Sequence, residues 1–341
     1  MKFMRLSACF TALALLATTL PAAAVPMRGL YEASVAVPDQ SPAHREPALR
    51  RALESVLVRV TGQRHPGAAM GVLDRANVLV QGYGYEKDPD GKGLRLRAQF
   101  DPRAVDAALR ALGVPVWGVN RLSHVVWIAL RDDGPARGLL DAAGVAARAS
   151  ALAATAEARG LPFTYPQLDA AERKLVSFND VWAGNFAGLQ GASRTYNANL
   201  MLVGRIGREG GGWVGRWTLL NNAGASEDWS IALGTLDEVL AAGIHELADR
   251  QAQRFATQAG AAREVRLLVA GVDSLDDYGR VLNYVRGLNP VRSAQVESAR
   301  AGELALRLQV EGDTDLLYRV IVSGRTLRRS ESDPNGYVLV R

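Results

Sequence analysis

Six consecutive apolar residues, Val125-Val126-Trp127-Ile128-Ala129-Leu130, constrain the fold of this chain more than any other stretch. An amphipathic strand alternates apolar and polar residues. An uninterrupted run reads as a strand covered on both faces. The block around it, about Trp117 to Gly260, is therefore expected to be an α/β domain of two or three layers. An alanine-rich helix is expected over Ala136 to Arg159, stopping before Pro162, and a second over Phe178 to Tyr196. Ala198 to Ile206 then reads as a strand. The Gly210-Gly211-Gly212 turn leads to a strand with Trp213, Gly215, Trp217 and Leu219 on one face, and Trp229 to Leu233 closes the meander. Thr235 and Glu238 form a capping box for a long helix with Leu240, Ile244, Leu247 and Phe255 inward.

The flanking blocks read as separate α+β units. From Met27 to Gly113 the pattern is βααββα. A strand over Gly29 to Val37 precedes a helix that starts at Ser41-Pro42 or at Pro47. That helix places Leu49, Ala52, Leu53, Val56, Leu57 and Val60 on one face, and Gly62 ends it. A short helix near Leu73 to Ala76 follows. Strands over Val78 to Glu86 and Gly93 to Phe100 are joined by Asp88-Pro89-Asp90-Gly91, and Asp101-Pro102 starts a last helix. From Glu264 to Arg341 the order is β-α-β-β-α-β, a ferredoxin-like domain. Leu304, Leu306, Leu308 and Val310 alternate with polar residues, and a turn at Asp333-Pro334-Asn335-Gly336 precedes the last strand. The fold class is thus α+β and multidomain, with a leader over 1–24 and domains over 25–114, 117–260 and 264–341.

The leader carries the clearest functional signal. Lys2 and Arg5 precede an apolar run, Ser7 to Leu20, and Ala22 and Ala24 fit the small-residue cleavage pattern of a secretory signal peptide, with cleavage between Ala24 and Val25. The run is too short to span a bilayer comfortably. The protein is expected in the periplasm, with no stable membrane insertion after cleavage. Leu6-Ser7-Ala8-Cys9 has the residue types of a lipoprotein box, but such a box follows the apolar run, whereas nearly all of the run here comes after Cys9. Removing the leader takes away the single cysteine and lowers the net charge from +5 to +3. What remains of the 341-residue chain is long for one hydrophobic core.

No catalytic constellation stands out, and no cofactor is expected. His44, His65, His124 and His245 lack metal-ligand spacing. The triple glycine lies between two strands, where no helix terminus offers its amides to a phosphate. Asp273, Asp276 and Asp277 lack the spacing of a calcium loop and read as helix capping. The pairs Asp132-Asp133 and Glu227-Asp228 have no evident partner. Arginines are dispersed among acids and outnumber the four lysines, Lys2, Lys87, Lys92 and Lys174. The two central strands of the carboxy-terminal block, Val265 to Ala270 and Leu304 to Val310, carry no aromatic residue on which a base could stack, so nucleic-acid binding is not expected. All six tryptophans lie between Trp117 and Trp229. They read as core, with Trp182 and Trp229 as candidates for a partner surface.

Several stretches resemble the bacterial family called domain of unknown function 2066. They are the leader, Ala48-Leu49-Arg50-Arg51-Ala52-Leu53, Val114-Pro115-Val116-Trp117-Gly118, Asp180-Val181-Trp182, Leu202-Val203-Gly204-Arg205 and Gly215-Arg216-Trp217-Thr218-Leu219. The likeness covers nearly the whole chain after the leader and implies no established activity and no site residues. The middle block also looks like the small α/β domains of envelope proteins such as the amino-terminal domain of TolB, in layout alone. The expected function is a non-enzymatic envelope adaptor or scaffold that binds other proteins or peptidoglycan. The alternative is an exported hydrolase with a site assembled from dispersed residues. Export has a direct check: mass spectrometry of the periplasmic protein should find an amino terminus at Val25, and a cytoplasmic chain that keeps Met1 would contradict the leader.

Overall fold

The computed structural model describes residues 27, 29–88, 93–133, 137–221, 224–257, 262–324, 326–331, 333 and 336–340. The leader, with Cys9 and the Ala24–Val25 cleavage site, lies outside the described residues, as do parts of the turns at 88–91 and 333–336. The chain is α+β, built on three separate sheets.

The first unit follows the expected order, with β1 (Glu32–Val37), α1 (Pro42–Thr61), a 3-10 helix (Gly67–Arg75), α2 (Ala76–Leu79), β2 (Val80–Lys87), β3 (Leu94–Phe100) and α3 (Pro102–Ala111). The short second helix is mostly 3-10, in a segment where Gly67 and Gly71 weaken α-helical preference. The start at Ser41-Pro42 is the one used, and Pro47 falls inside α1. Asp101 caps α3 by accepting from the amides of Arg103 and Ala104. The expected apolar face of α1 is buried against Leu96, Ala98 and Phe100 of β3 and Val105 and Leu109 of α3. The strands are antiparallel in the order β1-β3-β2. Leu96, Ala98 and Phe100 point to the helices, so Arg95, Arg97 and Gln99 face the other way.

In the second unit the apolar run is β4 (His124–Arg131), paired in parallel with β7 (Leu200–Glu209). It is covered on both sides. Val126, Ile128 and Leu130 belong to one core, and Val125, Trp127 and Ala129 to another. The domain is therefore three-layered. Two expected helices are corrected. Arg137–Leu140 is a strand, β5, because Asp141 starts the helix later by accepting from Gly144 N at 2.7 Å. The helix then breaks at Ala149 into α4 (Ala142–Arg148) and α5 (Ser150–Arg159). After the two-residue strand β6 (Phe163–Thr164) comes α6 (Ala170–Leu175), capped by Asp169, which periodicity did not disclose. The helix expected over 178–196 is divided into α7 (Phe178–Ala183), α8 (Ala187–Ser193) and a 3-10 turn, Arg194–Tyr196. Gly184, at φ 82°, ends α7.

The meander is completed by β8 (Gly212–Asn221) and β9 (Ser226–Leu233), and the sheet order is β5-β4-β7-β8-β9, with β6 beside β4. The expected capping box opens α9 (Leu236–Phe255). Trp213, Trp217 and Leu219 share one face of β8, as expected, and pack beneath α9. Gly243 permits this contact, since a Cβ there would lie 2.2 Å from the Trp217 ring.

The third unit comprises β10 (Ala262–Val272), α10 (Leu275–Arg286), β11 (Val291–Arg300), β12 (Gly302–Glu311), α11 (Thr314–Ser323), β13 (Leu327–Arg329) and β14 (Gly336–Leu339). Its sheet order, β11-β12-β10-β14-β13, keeps the neighbour order of a ferredoxin-like sheet but adds β13, so the strand beside β10 runs parallel to it and not antiparallel as that plan requires. The chain reverses where Ser330 N bonds Gly336 O at 2.9 Å. The added reversal puts β13 at the edge and brings β14 in parallel to β10.

His124 is wholly buried at the start of β4, its ring edge-on to Phe163 and neither nitrogen in a hydrogen bond of normal geometry. Burial pushes its pKa down to about 4 from 6.5. Below pH 6.5 the unfolded chain takes up a proton that the folded chain refuses until about pH 4. Stability is thus full above that window and falls as pH drops through it, by roughly 3 kcal/mol from this group. His245, whose pKa is lowered chiefly by burial, acts in the same direction. Thermal melts from pH 7.5 to 4.5 should show the loss, and His124→Leu should flatten the slope whatever it does to absolute stability.

Candidate functional site

The last turn of α1 leaves carbonyls without helical partners, at the negative end of the helix dipole. The second unit supplies the donors. Trp117 N donates to Val60 O at 2.7 Å. Arg121 Nη2 donates to Arg59 O at 2.7 Å and to Trp117 O at 2.6 Å, and its Nε to Gly118 O at 2.7 Å. Its guanidinium lies 3.4 Å from the centre of the Trp117 ring. Arg121 is 1% exposed, and burial works against its charge. Carbonyl bonds and the indole face offset that cost.

Arg159, at the end of α5, donates to Gly62 O and to Asp249 Oδ1, both at 2.7 Å. Asp249 also accepts from Arg64 at 2.7 Å. Gly62 has φ 69°, and a Cβ there would lie 2.3 Å from Ala252 Cβ and 2.8 Å from Trp117. Only glycine suits both the left-handed turn and the close approach of α9.

This clasp sets α5 beside α1 and leaves a cleft of about 590 Å³ between them and the first sheet. The sheet contributes Glu32, Ser34, Arg95 and Arg97, α1 contributes Arg59, and α5 contributes Glu157. A shallower hollow of about 340 Å³ over Gly82 and Gly84 shares Glu32 and Arg97 with it, so the two form one trough across the open sheet face.

Its charges are matched within it. Arg97 Nη2 meets Glu32 Oε2 at 2.7 Å, and that bond raises the arginine's pKa. Arg95 donates to Ser34 Oγ at 3.0 Å and Ser34 O at 2.8 Å, and pairs with Asp88 at 3.4 Å. Arg59 is lowered in pKa by burial, against the opposing pull of Glu157 and Glu32.

Arginines also close the free edge of β1. Arg59 donates to Leu30 O and Glu32 O, Arg95 to Ser34 O, and Arg51 to Ala36 O at 3.2 Å. Alternate carbonyls of an edge strand point outward, where they would otherwise receive another chain. The trough is therefore suited to side-chain recognition of a polar ligand and not to strand addition.

The two candidate tryptophans are not brought together. Trp182 packs on the α6–α8 side of the sheet, and Trp229 on the α9 side, stacked on Trp217 at 6.3 Å with Arg250 above it. Asp277 and Ser274 cap α10, and Asp277 accepts from Asp273 N at 3.3 Å. Asp133 pairs with Arg208, Glu227 with Arg254, and Asp228 accepts from Thr218. Among the described residues no group of three or more His, Cys, Asp or Glu could hold a metal. Periodicity alone could have placed Arg95 and Arg97 on an open face, because they alternate with Leu94, Leu96 and Ala98. Arg121 left no comparable signal.

Residues 24–118 match the family described as a domain of unknown function, DUF8605. That stretch includes the whole first unit and ends within the clasp. The match does not show the 2066 family expected from the sequence. No curated protein matches the chain. Among solved structures, the C-terminal domain of LpoB from Salmonella enterica is similar at 15% identity, over 33% of this chain and 83% of that one, with a TM-score of 0.24. A likeness that slight bears on neither fold nor function. Among the described residues, no helix is long and apolar enough to cross a membrane.

Proposed function

We propose that this chain is a non-catalytic binding protein of the bacterial envelope, exported to the periplasm, whose inter-unit trough receives a neutral glycan strand such as that of peptidoglycan. The matched charge of the trough carries this reading. Its guanidinium groups are already bonded to Glu32, to Ser34 and Asp88, or to backbone carbonyls, so a highly anionic ligand would have to break those bonds. A polyhydroxylated ligand can add hydrogen bonds to groups already held in place, which lowers the ordering cost of binding. Gly82 and Gly84 leave the floor of the hollow low. The leader agrees with an envelope role.

Co-sedimentation with purified peptidoglycan sacculi tests the proposal. The mature chain should pellet with the sacculi. The double variant Glu32→Gln with Arg97→Gln, on an open sheet face where folding is little affected, should weaken binding by about tenfold. A protein that stays in the supernatant, or a variant that pellets equally well, contradicts the assignment. Release of soluble fragments would instead support the exported hydrolase.

A further inference from the structure

Three arginines project from one face of the middle sheet at the end of β4. Arg131 and Arg137 are directly opposed in the β4–β5 pair, and Arg205 on β7 lies opposite Ala129, two residues back along β4. Their guanidinium groups lie near rings from α7 and from the residue that precedes α8. Arg131 is 4.2 Å from the centre of Trp182, Arg137 is 5.7 Å from Phe178, and Arg205 is 5.8 Å from Phe186. Trp182 and Phe178, one turn apart on α7, stack at 5.4 Å with an interplanar angle of 17°. Gly207 allows the indole to lie on the sheet, since a Cβ there would come within 2.8 Å of the ring.

This face differs from the trough in its charge. Among the described residues, none of the three arginines forms an ion pair or a hydrogen bond, and the Nε of Arg205 is buried without a partner. Arg131 is close enough to Glu209 to lower its pKa, but both oxygens of Glu209 already accept from Arg216, at 2.7 and 2.9 Å. The aromatic rings lie beside the guanidinium groups without consuming their N–H donors, an arrangement that favours two-pronged recognition of carboxylates.

We propose that Arg131, Arg137 and Arg205, positioned by Trp182, Phe178 and Phe186, form a docking site for an acidic peptide segment of a partner protein. A nucleic acid fits less well. Trp182 and Phe178 are stacked on each other and beneath guanidinium groups, so they offer little open ring face to a base. Side-chain carboxylates spaced along a peptide can meet the arginines individually.

Fluorescence anisotropy with labelled hexaglutamate, hexalysine and a short single-stranded oligothymidylate decides the matter, using the mature chain. Hexaglutamate should bind, hexalysine should not, and raising sodium chloride from about 50 to about 500 mM should weaken the complex. Arg137→Gln, at an exposed position, should reduce affinity about tenfold, and adding Arg131→Gln should reduce it further. Circular dichroism melts establish that the variants are folded, and the single exposed substitution keeps the test intact if the double variant is not. Absence of hexaglutamate binding, binding unchanged by Arg137→Gln in folded protein, or oligothymidylate binding as tight as that of hexaglutamate and lost in the same variants would each overturn the proposal.

Discussion

Arg121 lies where the first two units meet, its guanidinium donating to the Arg59, Trp117 and Gly118 carbonyls and covering the Trp117 ring. The two units have separate hydrophobic cores, which meet where Gly62 packs against Ala252 and Trp117. The end of α1 makes that connection. Its last carbonyls are satisfied by Trp117 N, Arg121 and Arg159, so the terminus of one unit is capped by the other. A buried arginine without these acceptors would be strongly unfavourable, which makes the joint selective for one geometry. The trough follows from that geometry, since α5 becomes its wall only when docked beside α1.

The third unit is joined differently. Leu316 of α11 enters the core beneath α9, and Glu311, accepting from Arg292 Nε and Nη2 at 2.9 and 2.7 Å, approaches Arg110 of α3 at 3.6 Å. One contact is apolar and the other ionic. Together they place the ferredoxin-like unit against both of its neighbours. The two proposed binding faces then lie on separate sheets, one with its charges paired and one with them unpaired, so a glycan and an acidic peptide need not compete.

Local patterning made much of this architecture legible. The apolar run of β4, the capping box of α9, the amphipathic face of α1 and the strict alternation of β12 all express contacts that repeat with the period of their own element. Where the reading failed, a nonlocal contact or a single residue intervened. Alanine-rich sequence suggested one helix from 136, but strand pairing with β4 took Arg137–Leu140. Gly184 divided the next helix, and a terminal reversal added β13. The binding residues were less visible still. Trp182 stood out as a large side chain, but Arg131, Arg137 and Arg205 were indistinguishable from a general abundance of arginine until the sheet aligned them. Arg121 was hidden for another reason: its partners are carbonyls, which every residue possesses and no sequence pattern marks.

Hydrogen exchange by mass spectrometry on Arg121→Met gives the most direct test of the clasp. The substitution keeps an apolar stem against Trp117 but removes the guanidinium bonds to the Arg59, Trp117 and Gly118 carbonyls. Faster exchange should appear together at the end of α1 (58–63), along α5 (150–160) and at β1 (32–37), with residues 262–323 unchanged. Protection unaltered in α1 and α5, or lost uniformly across all three units, would contradict the claim that this buried guanidinium holds the first two units in register.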